Sequence, residues 1–67
     1  MMHFEPLEIM QRAEALRDGA SFTAYPDVIV AKVQGKLCVM HGGTTVHAGS
    51  PPVAAVLART LYRTSQN

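Results

Sequence analysis

The sequence predicts a small α+β domain. Its expected order is α-β-β-β-α, a two-layer arrangement in which an antiparallel three-stranded meander carries two helices. Three observations predict it. Residues 6–18 set Ile9, Met10, Ala13 and Leu16 on one arc at helical spacing. Residues 27–33, DVIVAKV, are rich in β-branched side chains and lead through Gln34-Gly35 into KLCVM, residues 36–40. Residues 51–64 return to helical spacing, with Val53, Ala54, Leu57, Ala58 and Leu61 on one side.

Each element has a local cause. Pro6 suits the first position of the first helix, where its missing N–H costs nothing, and Gly19 suits the position beyond its end. Glu8 and Arg12 stand four apart on the polar side, acid first, in the favourable order. Glycine second in the Gln34-Gly35 connection accepts positive φ, as a tight hairpin requires. Pairing about that turn sets Val33 opposite Lys36, Ala31 opposite Cys38, Val30 opposite Val39 and Ile29 opposite Met40. SFTAY, residues 21–25, is expected to extend the first strand backwards, with Pro26 marking an edge strand or a bulge. A third short strand, residues 44–48, follows Gly42-Gly43. Ser50 is a good N-cap for the last helix, and Pro51 and Pro52 are tolerated in its first turn. The alanines on its apolar side allow another element to approach closely, and Arg59 and Arg63 share the opposite side beside Tyr62.

Sixty-seven residues suffice for one domain, with flexible ends expected at about 1–4 and 65–67. A chain of this length buries only about 60% of its unfolded surface, so its core is marginal. The single cysteine, Cys38, excludes an internal disulfide and suits a reducing cytoplasm. No apolar run approaches the roughly 18 residues of a membrane-spanning helix. Met1-Met2-His3-Phe4-Glu5 lacks the basic and apolar blocks of a signal peptide. All five acids lie in residues 1–27, whereas residues 28–67 hold Lys32, Lys36, Arg59 and Arg63 and no acid. Such asymmetry marks either an anionic partner or two halves whose charges mix on one folded surface.

The stretch HGGTTVH, residues 41–47, raises the question of a metal. Any even-length hairpin loop puts His41 and His47 on opposite sheet faces, because side chains alternate. The two-residue loop instead brings His47 opposite Cys38. Zinc requires three or four converging ligands, and the remaining candidate, His3, lies in the N-terminal tail. No C-x-x-C or H-x-x-H spacing is present, so neither metal nor cofactor is expected. A cysteine nucleophile would further need an oxyanion site and a group to orient the imidazole; no acid lies in the second half of the chain, though Asp27 or Glu14 could arrive through folding. Gly42-Gly43 leads into a strand and is followed by no Lys-Ser or Lys-Thr, unlike a phosphate-binding loop.

Element order and length are similar to those of the double-stranded RNA-binding domain. That family places lysines at the start of its last helix, where this chain has Ser50-Pro51-Pro52-Val53-Ala54-Ala55, without a cation. The Gln34-Gly35 connection is also too short to reach a minor groove. The resemblance is therefore one of order alone.

The functional expectation rests on the sheet. Ile29, Ala31, Val33, Cys38 and Met40 share one face, and Val28, Val30, Leu37 and Val39 the other, so both are largely apolar. If the two helices cover one face, the other is an uncovered apolar face, which marks an interaction site; the alternatives are helices on both sides or a bulge that shifts the register. The expected docking residues are Val28, Val30, Leu37 and Val39, in a non-enzymatic, cytoplasmic, protein-binding module. Such a module would be an adaptor or occluding inhibitor of the phage or mobile-element kind, self-associating as a homodimer. The alternative is nucleic-acid binding through Lys32, Lys36, Arg59, Tyr62 and Arg63.

Overall fold

A computed structural model describes residues 5–65, with only the backbone of Ser65. The elements are α1 (Pro6–Ala15), β1 (Ser21–Tyr25), β2 (Val28–Val33), β3 (Lys36–His41), β4 (Thr44–Ala48) and α2 (Pro51–Ser65). The strands form one antiparallel sheet in the order β1-β2-β3-β4, so the α+β class holds. The flexible ends expected at 1–4 and 65–67, and His3 with them, lie outside the described residues save for the helical backbone of Ser65.

The sheet has four strands where three were expected, and the order departs from that of the RNA-binding domain. Pro26 does not interrupt a single long strand. With Asp27 it makes a two-residue turn that folds β1 back onto β2, closing with Tyr25 opposite Val28. Proline presets the first turn position, and Asp27 takes φ +67°, a left-handed conformation that aspartate tolerates. A register shift between Thr23 and Tyr25 accommodates a bulge at Ala24.

The second hairpin keeps the expected register, including Ala31 opposite Cys38 and Val30 opposite Val39. Gln34 and Gly35 both have positive φ, +51° and +79°, the pattern of a type I′ turn. This turn is tethered at long range. The Gly35 N–H donates to Asp18 Oδ1 at 2.6 Å. Beside it, the Gly19 N–H donates to the Lys32 carbonyl at 2.7 Å, and the Lys32 N–H to the Ala20 carbonyl at 3.0 Å. These bonds explain why α1 ends at Ala15 rather than at residue 18. Leu16 turns extended so that residues 18–20 can reach the hairpin. Gly19, at φ +87°, serves that loop rather than the helix end. At the other end of α1 the Glu8 carboxylate accepts the Glu5 N–H at 3.2 Å, satisfying one donor ahead of the first turn. The Ser50 carbonyl begins α2 by accepting the Ala54 N–H at 2.9 Å.

α2 lies across all four strands, and α1 packs chiefly against α2 and β2. Both helices cover the same face of the sheet. The core beneath them contains Ile9, Ala13, Ala54, Ala55 and Ala58 from the helices and Val28, Val30, Leu37 and Val39 from the central strands. Ile9, Val28, Val30 and Val39 are fully buried, and Leu37 is 8% exposed. The residues expected to meet a partner are thus the residues the helices cover. Side-chain volume accounts for this choice. The buried helix positions are mostly alanine, which leaves space that the larger aliphatic face fills to native density. The other face has Ala31 opposite Cys38 at its centre and would leave voids there.

Val30→Asp places a carboxylate at a position with no solvent access. A domain of this size is stable by roughly 3–10 kcal/mol, and an unpaired buried charge costs several. The variant is expected to be unfolded at 25 °C by circular dichroism. A cooperative melt with native helix content would show that Val30 is not core.

Candidate interaction surface

Nothing in the described chain covers the second sheet face. β2 directs Ile29, Ala31 and Val33 to it, and β3 directs Lys36, Cys38 and Met40. Thr23 of β1, opposite Ile29, and Thr45 and His47 of β4 flank these. The result is an apolar centre within a polar margin. Val33 is 51% and Ile29 37% exposed. Ala31 and Cys38 are short and lie opposite one another, so their larger neighbours shield them with no second layer above. Among the described residues the only formal charge on this face is that of Lys36.

The histidines separate as the even-length loop requires. His41 stands opposite Thr44 and His47 opposite Cys38, two imidazoles on opposite faces. Gly42, at φ +60°, takes the first turn position. Among the described residues no three His, Cys, Asp or Glu side chains gather closely enough to hold a metal ion. Cys38 is buried. Glu14 and His47 border a common cleft of about 580 Å³, which Cys38 does not line. The Cys38 thiol, the His47 imidazole and the Glu14 carboxylate therefore do not line one common site.

The five residues of the nucleic-acid alternative do not form one patch. Lys32 and Lys36 border the same cleft, beside Ser50 and Pro51 at the start of α2. Arg59 and Arg63 flank a smaller groove with Pro6 and Val56. From Pro51 to Arg59 the helix rises about 12 Å, at about 1.5 Å per residue. Tyr62 is half-buried and stacks on Tyr25, with ring centroids 4.6 Å apart and planes 8° from parallel. One face of its ring is therefore already occupied. Burial pushes the Tyr25 phenol above its ordinary value. The nearby Arg59 charge pulls it back, and Glu5 and Tyr62 add to the rise.

Sequence reasoning identified the membership of both sheet faces but assigned the helices to the wrong one. It missed the cleft altogether, because its walls come from α1, the β2–β3 hairpin, β4 and the start of α2. No helix among the described residues is long and apolar enough to cross a membrane. No protein family, curated protein or solved structure matches the chain, so the functional reading rests on geometry alone.

Two measurements test this description. Tyr25 is held neutral in the folded state, so its contribution to stability is complete below the unfolded tyrosine value of about 10. It is lost as the pH rises through the elevated folded value. Denaturant titrations from pH 8 to pH 11 are expected to show stability falling above about pH 10, with a smaller fall in Tyr25→Phe. Cys38 should react with a thiol reagent at least tenfold more slowly in the native protein than in denaturant, as expected of a shielded thiol. Equal rates would contradict its burial.

Proposed function

We propose that the chain is a non-enzymatic protein-binding module whose docking surface is the open face of its sheet. It acts in a reducing cytoplasm as an adaptor or as an occluding inhibitor of a larger assembly. One observation carries the reading: Ile29, Val33 and Met40 form an apolar centre with no described layer packed over it, although the helices bury Val28, Val30, Leu37 and Val39 on the other face. An apolar centre with a polar margin is the usual anatomy of a protein interface. The partner matched to this surface is a protein with an apolar patch and a carboxylate placed to meet Lys36, since the face has no acid of its own.

The nucleic-acid alternative is less well supported. It needs one continuous cationic surface, but the lysine pair lies on β2 and β3 beside the start of α2, and the arginine pair lies farther along α2.

Ile29→Asp and Val33→Asp test the proposal, because both positions are exposed and neither supports the core. Each variant is expected to keep native helix content. In chemical crosslinking within the cells that encode the chain, a protein joined to the wild type should be lost from both variants. Equal crosslinking of all three, or none to the wild type, rejects the open face as the docking surface.

A further inference from the structure

The two edges of the sheet are built differently. β1 carries the bulge at Ala24 and ends against Pro26, two devices that keep a second strand from pairing with it. β4 has neither. It pairs with β3 through five consecutive residues without a register shift. Its sequence, TTVHA, contains no proline, lysine, arginine, aspartate or glutamate. Thr44, Thr45 and His47 are exposed, and no described strand lies beyond them.

The direction of the free backbone groups follows from the hairpin. Across a two-residue loop the flanking pair, here His41 and Thr44, exchanges hydrogen bonds. Antiparallel alternation then turns the backbone groups of Val46 and Ala48 toward β3 as well. Those of Thr45 and His47 point away from the sheet. β4 thus presents two donors and two acceptors at the spacing of a strand, with no charge to discourage pairing.

We infer that β4 pairs antiparallel with β4 of a second copy of this chain, about a twofold axis at Val46, doubling the four-stranded sheet to eight strands. The segment is self-complementary in this register. Thr45 of each copy faces His47 of the other, the two positions with free backbone groups, which gives about four hydrogen bonds. Val46 faces Val46, a favourable β-branched pair, and Thr44 faces Ala48. No formal charge meets a like charge. One unprotected edge per chain closes the assembly at two copies, whereas two such edges would let it extend into a fibre. The contact is distinct from the docking face and does not depend on it. It lays two open faces side by side, with Ile29 and Val33 on β2, away from the joint.

The test is the solution mass of the full chain by sedimentation equilibrium, over a series from about 10 μM to about 1 mM, spanning weak association. The wild type is expected to approach twice 7.2 kDa at the upper end. Amide exchange at Thr45 and His47 should slow at least tenfold with concentration. Thr45→Pro removes an outward N–H and leaves the β3 ladder intact. The double variant Thr45→Lys, His47→Lys keeps the backbone and sets like charges along the edge. Both are expected to remain monomeric with native circular dichroism, and if the proline variant unfolds, the lysine variant decides. Ile29→Asp should dimerise like the wild type. A wild type still monomeric at the highest concentration overturns the inference, and so does dimerisation of the lysine variant. Dimerisation lost in Ile29→Asp but kept in the lysine variant would move the contact to the open face, overturning the edge pairing while leaving the docking proposal in place.

Discussion

The molecule depends on one packing constraint: helices lined with alanine need large aliphatic side chains opposite them. Ala13, Ala54, Ala55 and Ala58 bring the helix backbones close to their neighbours, and Val28, Val30, Leu37 and Val39 fill what remains. A chain of 67 residues has few alternatives. Its core contains no disulfide, and the cluster draws on both helices and all four strands. With so few large side chains in it, loss of one is costly.

Polar contacts act on connection rather than on the core. No polar or charged residue is buried among those described, so no burial cost has to be offset there. The long-range hydrogen bond from Gly35 to Asp18 joins the loop after α1 to the tip of the second hairpin. The bonds of Gly19 and Ala20 with Lys32 continue the β1–β2 pairing toward that tip. Together they place the end of α1 beside the hairpin and shape the cleft between them. The Tyr25 and Tyr62 stack holds the far half of α2 to the edge strand β1 by the attraction of two offset aromatic faces.

Among the described residues, covering one face of the sheet leaves the other open, and shielding one edge leaves the other free. The open face and the open edge are therefore consequences of the same economy of chain length. They differ in chemistry. The face offers apolar area, which rewards a partner of matching shape. The edge offers backbone donors and acceptors, which reward another strand. Both edge strands are uncharged; what distinguishes them is that a bulge and a proline disfavour pairing at β1 and neither is present in β4.

Much of this was legible in the residues themselves. Helical spacing located α1 and α2, and a glycine in second place located the turn of the second hairpin with its register. Alternation then settled which side chains share a face and separated His41 from His47. These are local properties, set by backbone sterics and by the period of each element. The Pro26-Asp27 turn is also local, but proline at that position is compatible with a bulge, an edge or a reversal, and only pairing with Val28 selects among them. The early end of α1 was not legible, because its cause is a hydrogen bond to a residue 17 positions away. Nor was the covered face. Both faces are apolar, so periodicity treats them alike. Which one the helices take is decided by how volumes fit once all the elements meet, and that fit is a property of the assembled core and of no single segment.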